Sequence, residues 1–232
     1  MADRMTEQPH PGQANRTVRI WDLPTRLFHW LLVLLLIVSW VSAENDAQDI
    51  HATSGYLLAG LLLFRLCWGL VGSRTSRFAD FVRGPRSVLA YLASMGRGTA
   101  PRWHGHNPAG GVMVVVLLLA VAAQVGTGLF ANDDILFEGP LRQFVSDDLS
   151  ATLTGLHHRI FNILLALAIV HVTAALLYWV AKRDNLILPM ITGRANLPAG
   201  PDKPMVNNWL GLAVLLALTA ATYLVLDALQ PF

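Results

Sequence analysis

Five long apolar runs constrain this chain more than any other feature. They lie at about residues 27–43, 53–71, 110–130, 155–181 and 209–226. A helix of roughly 20 residues crosses a hydrocarbon core of about 30 Å. Only 14% of the 232 residues are charged, against about 25% in a soluble domain. The sequence therefore predicts an all-α integral membrane protein with five transmembrane helices. Asp22 and Pro24 predict that the first helix begins before its apolar run, with Asp22 as its N-cap.

The basic residues divide the segments between the spans into two sides. Fourteen of the 17 lie on one side: Arg4, Arg16, Arg19, Arg26, Arg74, Arg77, Arg83, Arg86, Arg97, Arg102, Lys182, Arg183, Arg194 and Lys203. The other side has Arg142, with Arg159 just inside the fourth span. The positive-inside rule places the N-terminus in the cytoplasm and the C-terminus in the periplasm, in the inner (plasma) membrane of a bacterium.

The two outer loops are acidic, which fits either a solvated surface or a docking surface for a basic partner. Their carboxylates are Glu44, Asp46, Asp49, Asp133, Asp134, Glu138, Asp147 and Asp148. On the inner side, residues 85–95 predict a short amphipathic helix at the interface, with Tyr91 and Leu92 facing lipid.

The chain divides into three parts by composition. Residues 1–19 are polar and predict a disordered cytoplasmic tail, residues 20–195 a membrane domain, and residues 196–232 a linker with an extra C-terminal transmembrane helix. Cys67 is the single cysteine, and the sequence contains no C-x-x-C-H segment. An intrachain disulfide is therefore impossible, and covalent haem attachment is not indicated.

Four histidines lie within or at the ends of the predicted spans: His29, His51, His157 and His171. One such histidine alone is more often a hydrogen-bonded interior residue than a ligand. However, His157 and His171 are 14 residues apart, which places them about 40° apart on one helix face and about 21 Å apart along the axis. That separation suits two haem sites stacked across a bilayer. His158 lies on roughly the opposite face from His171.

The predicted topology pairs His29 with His171 near the cytoplasm and His51 with His157 near the periplasm. His171 lies eleven residues before Lys182, so the fourth helix must tilt or project into the cytoplasm to bring it level with His29. Two axial imidazoles leave haem iron six-coordinate and suited to electron transfer. We therefore predict two haem b groups, with these four histidines as iron ligands, in a four-helix bundle formed by the first four spans.

Several other residues are candidate cofactor contacts. Gly55 and Gly126 would let a porphyrin approach a helix closely, although ordinary helix packing explains them as well. Arg65 is a charge within the second span, where it either pairs with a haem propionate or snorkels to the interface. Arg26 is a further candidate near His29.

Several segments resemble the bacterial di-haem cytochrome b family that includes the b subunits of nickel–iron hydrogenases. They are VRIWDLPTRLFHW at 18–30, HATSGY beginning at His51, GHNPAGG at 105–111, the His157/His171 pair, and NLILPMITGR after the fourth span. Formate dehydrogenase b subunits and free-standing cytochromes b of the b-561 type look similar. The resemblance implies haem ligands at the same four histidines and electron exchange with membrane quinone. The first outer loop, residues 44–50, is shorter than in the hydrogenase subunits.

The predicted function is transmembrane electron transfer through the two haems, between a periplasmic redox protein and the quinone pool. The redox protein would be a c-type cytochrome or the catalytic subunit of an oxidoreductase, with this chain as its electron-transfer subunit. Quinone and membrane lipid are the other expected partners, and nucleic acid is not expected. Quinone would bind near the cytoplasmic haem at His106 and Asn107, unless Asn107 only caps the third helix.

Two alternatives remain at this stage. The chain could be a superoxide:quinone oxidoreductase that acts without a protein partner, as some relatives of the b-561 type do. A cationic surface near the outer haem would then be expected, and Arg142 and Arg159 are the only basic candidates there. Alternatively, the chain could be a membrane anchor whose histidines bind nothing.

Overall fold

The computed structural model describes residues 15–101, 103, 105–133, 137–198 and 204–230. In chain order the elements are β1 (Asn15–Arg19), α1 (Leu23–Glu44), α2 (Gln48–Val71), α3 (Phe78–Phe81), α4 (Pro85–Gly96), α5 (Pro108–Gly128), α6 (Asp147–Lys182), α7 (Ile187–Thr192), β2 (Arg194–Pro198) and α8 (Asn208–Ala228). Five of these helices, α1, α2, α5, α6 and α8, are long and apolar enough to cross a membrane. The five predicted spans are thus confirmed.

The five spanning helices give the bundle two distinct ends. The basic end carries the N-termini of α1, α5 and α8 and the C-termini of α2 and α6, together with the arginine-rich segment between α2 and α5. The acidic end carries the opposite termini, the short turn at 45–47 and the connection between α5 and α6. Asp22 caps α1 as the sequence predicts, because its Oδ1 accepts a hydrogen bond from the Thr25 amide at 2.8 Å.

The central helix of the bundle is α2, the most buried of the five spans. It packs against α1, α5 and α8. The core beside it contains Phe28 of α1, Leu118 of α5, Leu215 of α8, and Leu61, Phe64 and Trp68 of α2 itself. A Cβ atom at Gly60 would lie 2.6 Å from the Cα atom of Thr219 in α8. The C-terminal span α8 is therefore packed into the bundle together with the four spans α1, α2, α5 and α6.

The longest helix is α6, with 36 residues. At about 1.5 Å per residue it is about 54 Å long, well beyond a hydrocarbon core of about 30 Å. It is therefore long enough for the tilt or the projection that the depth of His171 requires. Among the described helices, only α5 has its backbone packed along α6 over an extended length. Side chains make the approach to α1 and α2, such as Trp40 against Phe161, whose ring centroids are 5.8 Å apart.

A two-stranded antiparallel sheet joins the start of the described chain to the segment after α6. β1 pairs with β2, and the ladder runs from Asn15↔Pro198 to Arg19↔Arg194. We call this sheet together with α7 the clasp. Residues 15–19 were expected to belong to a disordered tail, and this expectation is wrong for those five residues. The prediction failed because β1 is polar and short and its partner strand is far away in sequence; the remaining residues of the predicted tail lie outside the described chain.

The amphipathic helix predicted at 85–95 is present as α4, but Tyr91 does not face lipid. Its side chain is buried, and its hydroxyl lies 3.4 Å from the hydroxyl of Tyr178 on the projecting part of α6. Burial raises the pKa of the Tyr91 phenol, and the hydrogen bond with Tyr178 raises it further. Leu92 is exposed, as expected. Helix α4 is therefore packed against the bundle by the side chain of Tyr91. The Tyr91 phenol remains protonated at physiological pH.

Candidate functional site: two facing histidine pairs

His51 of α2 and His157 of α6 face each other near the acidic end. Their ring centroids are 6.0 Å apart and their planes differ by 83°. Two imidazoles on opposite sides of one metal ion have centroids about 6 Å apart, because each metal–nitrogen bond is about 2 Å long. The separation of these two side chains therefore fits axial ligation of a single iron.

Both rings are oriented by backbone carbonyls. His51 Nδ1 lies 2.8 Å from the Ser39 carbonyl oxygen, and His157 Nδ1 lies 2.9 Å from that of Gln124. A carbonyl can only accept a hydrogen bond, so each Nδ1 must carry the proton. Each Nε2 then has a free lone pair, which is the form of histidine that binds a metal.

The Gln124 side chain also indicates that the lone pair of His157 is on Nε2. Its Nε2 lies 3.1 Å from His157 Nε2, and an amide N–H can only donate to an unprotonated ring nitrogen. The Gln124 Oε1 atom is buried and has no hydrogen-bond partner within the described chain. Neither Gln124 nor Ser39 could be found from the residue pattern, because both act on the histidines mainly through backbone carbonyls that any residue would supply.

The second pair lies toward the basic end. His29 of α1 and His171 of α6 are close enough for their charged forms to repel each other. His29 Nδ1 is buried without a hydrogen-bond partner among the described residues. The neighbouring Trp30 ring meets His29 edge-on, with centroids 4.9 Å apart. The His29 ring thus lacks the carbonyl acceptor that both rings of the other pair have, and the fit of this pair to a bound group rests on the proximity of His29 to His171.

The surroundings of the His51/His157 pair leave room for a flat cofactor. A Cβ atom at Gly55, one turn from His51, would meet no described atom within 4 Å, and the same is true of Gly126 on α5. Gly128 instead has a packing role, since a Cβ there would lie 2.7 Å from His157 Cε1. His158 is exposed, in agreement with its predicted position on the other face of α6.

Arg65 is buried toward the basic end of α2, so the structure disfavours the second of its two predicted roles, snorkelling to the interface. Its guanidinium lies 4.7 Å from the Phe78 ring and 5.8 Å from the Phe81 ring. Its Nη1 atom has no hydrogen-bond partner among the described residues, and the charge of Asp22 acts on it. Arg65 follows His51 by 14 residues, the spacing that separates His157 from His171, so it lies on the same face of α2 one site further along.

Arg26 binds the clasp. Its guanidinium donates a hydrogen bond to the Ile191 carbonyl at the end of α7. Trp30, one turn further along α1, donates its indole N–H to the Met190 carbonyl at 3.1 Å. These two bonds stabilise carbonyls that the helix end leaves without an intrahelical partner. The role of Arg26 toward a cofactor remains a prediction.

The two candidate quinone contacts differ in their surroundings. The His106 ring packs between Trp21 and Phe81, at centroid distances of 4.7 Å and 4.6 Å. Asn107 is the N-cap of α5, because its Oδ1 accepts from the Gly110 amide at 2.8 Å and Pro108 follows it. The capping interpretation of Asn107 is therefore confirmed. His104 lies outside the described residues.

The basic candidates for an outer cationic surface do not form one. Arg142 pairs with Asp147 and donates to the Val145 carbonyl. Arg159 is exposed on α6. The ion pair neutralises Arg142, so little steering of an anion toward the acidic end follows from these two residues.

A helical membrane bundle whose helices bring histidines together in pairs is the architecture of a membrane-bound b-type cytochrome. Comparison with known proteins agrees with this class. The chain belongs to the prokaryotic cytochrome b561 family, whose model matches residues 20–193. It is similar to a protein of Azotobacter vinelandii described as a "Probable Ni/Fe-hydrogenase B-type cytochrome subunit", with 25% identity over 214 residues covering 76% of this chain and 87% of the relative. No solved structure matches the chain significantly.

The family resemblance predicted from the sequence is thus confirmed. The protein is a multi-pass membrane cytochrome that transfers electrons through b-type haem. The matched range includes all four paired histidines and ends at Gly193, so α8 and all of β2 lie beyond it.

Proposed function

We propose that the chain holds two haem b groups, one on the His51/His157 pair and one on the His29/His171 pair. The arrangement of His51 and His157 carries this proposal, because their separation and their fixed Nδ1 protons suit axial ligation. Each bound haem would supply one-electron redox chemistry. Arg65 would offer its unpaired Nη1 to a propionate, while Gly55 and Gly126 would allow the porphyrin to lie against α2 and α5.

The experiment that tests this proposal is a count of haem in the purified protein. A pyridine haemochrome assay is expected to give two haem b per chain. A value of one would contradict the second site. A protein without a b-type absorption spectrum would contradict both sites and leave the membrane-anchor function.

In this proposal, the basic end faces the bacterial cytoplasm and the acidic end faces the periplasm. The positive-inside rule supports this orientation. Glu44, Asp49, Asp147 and Asp148 are exposed at the acidic end. A basic periplasmic redox protein, either a c-type cytochrome or the catalytic subunit of an oxidoreductase, would be steered to such a surface.

Thiol labelling in intact cells measures this orientation. In a Cys67→Ser background, Ser146→Cys is expected to react with an impermeant reagent, since Ser146 is exposed at the acidic end. Ser87→Cys, exposed on α4 at the basic end, is expected to react only after the membrane is permeabilised. The reverse pattern would overturn the orientation and the assignment of the two haems to sides.

Quinone exchange is proposed at the basic end, beside His106. A quinone needs a mostly apolar slot with one or two polar groups for its carbonyl oxygens. The aromatic rings of Trp21 and Phe81 around His106 provide that character.

Replacing His106 tests this location. His106→Ala is expected to keep both haems and to slow haem reoxidation by added quinone about fivefold, since losing one hydrogen bond costs roughly 1 kcal/mol. Asn107→Ala is the matched control, because the cap already occupies its Oδ1, and it should leave the rate nearly unchanged. An unchanged rate of haem reoxidation in the double variant His106→Ala and Asn107→Ala would show that quinone binds elsewhere.

A further inference from the structure

The carbonyl that orients His51 is shared with a hydroxyl. The Ser39 carbonyl oxygen lies 2.8 Å from His51 Nδ1 and also accepts from the Ser42 hydroxyl at 3.0 Å. Ser42 is buried. The Ser39 carbonyl thus accepts two hydrogen bonds, one from the His51 imidazole and one from the Ser42 hydroxyl three residues further along α1, and each weakens the other.

The carbonyl that orients His157 has the same arrangement on another helix. The Gln124 carbonyl oxygen lies 2.9 Å from His157 Nδ1 and accepts from the Thr127 hydroxyl at 3.0 Å. Thr127 is again three residues further along, in α5. The Thr127 hydroxyl also lies 2.7 Å from the Ala123 carbonyl. The Thr127 hydroxyl thus shares its one proton with a closer acceptor, so it competes less with His157 for the Gln124 carbonyl than Ser42 competes with His51 for that of Ser39.

The basic-end site differs in two respects. His29 Nδ1 has no hydrogen-bond acceptor within the described chain. In addition, the buried cation Arg65 lies toward this end of α2, with Nη1 unpaired among the described residues. One site thus has two hydrogen-bonded imidazoles, while the other has an imidazole without such a bond and a positive charge nearby.

Both differences place the reduction potential of the acidic-end haem below that of the basic-end haem. An imidazole that donates Nδ1–H to a carbonyl becomes a more basic ligand through Nε2 and favours the ferric state. A buried cation favours the state that has gained an electron. We propose that Ser39 and Gln124, modulated by Ser42 and Thr127, are positioning residues that make the acidic-end haem the lower-potential site of the two. This inference rests on the proposed function, since it requires both haems.

The order of the two potentials is tested by removing one haem at a time. Potentiometric titration of the wild-type protein is expected to resolve two midpoints. His51→Ala should retain only the higher midpoint, and His29→Ala only the lower one. If His51→Ala retains the lower midpoint, or if the two midpoints coincide, the inference is overturned. A wild-type protein with fewer than two haems would instead contradict the proposed function.

The role of the carbonyls is tested by Ser42→Ala. Loss of the competing hydroxyl strengthens the bond from His51 Nδ1–H to the Ser39 carbonyl, so the lower midpoint should fall further while the higher one stays in place. Ser54→Ala is the matched control, because the buried Ser54 hydroxyl donates to the backbone carbonyl of His51 at 2.9 Å and not to the acceptor of its ring. Equal shifts of both midpoints, or no shift in Ser42→Ala, would refute the assignment.

Discussion

His157→Ala is expected to lose half of the bound haem, whereas His158→Ala retains all of it. His157 faces His51 at 6.0 Å between ring centroids and is fixed by the Gln124 carbonyl. His158 is exposed, although its ring is only 6.3 Å from that of His157. Haemochrome assay of the two purified variants, normalised to protein, measures the difference.

The pair of variants separates ligation from proximity. Adjacent histidines share the same depth and nearly the same chemistry, so a general disturbance of the acidic end would affect both variants. Loss of haem from His158→Ala with retention in His157→Ala would show that the opposite face of α6 carries the ligand.

Asp22→Ala is expected to lower the free energy of unfolding by about 3 kcal/mol, from a lost helix cap and a buried donor left unpaired. Asp22 is fully buried, and its Oδ2 accepts from the Trp68 indole N–H at 3.1 Å while its Oδ1 caps α1. Its charge also stabilises the buried cation of Arg65. Unfolding in detergent, followed by the haem spectrum, measures the loss.

Asn107→Ala is the control for the cap alone. Its Oδ1 accepts from the Gly110 amide at 2.8 Å, the same distance as the Asp22 cap, but it carries no charge. The expected loss is about 1 kcal/mol, the usual value of an N-cap. Equal losses in the two variants would show that Trp68 and Arg65 add nothing to the role of Asp22.

The spans and the histidine spacing could be predicted because each depends on local periodicity. Hydropathy over about 20 residues identifies a spanning helix without knowledge of its neighbours. The 14-residue spacing of His157 and His171 needs only helix geometry, and the cap at Asp22 needs only adjacent residues. The structure agrees with the sequence on the helices and on Asp22, and it places His51 opposite His157 and His29 within electrostatic reach of His171.

The remaining features depend on contacts between distant segments, which periodicity does not record. The burial of Tyr91 requires the projecting end of α6, and the position of Arg65 beneath Phe78 requires the chain to turn back after α2. The carbonyl acceptors at Ser39 and Gln124 come from the backbone and leave no mark in the side-chain pattern. The bond from Arg26 of α1 to the end of α7 also joins distant segments, while its role toward a cofactor stays a prediction.

The clasp limits the order in which the protein can assemble. Thr17 and Asn196, which bond across the two strands, are separated by 179 residues. During synthesis from the N-terminus, β1 therefore has no partner until α1, α2, α5 and α6 have all been made. Arg26 and Trp30 likewise find their carbonyl acceptors on α7 only at that stage. The clasp at the His29 end of the bundle consequently forms only after all four histidines have been synthesised, and α8 packs against that end later still.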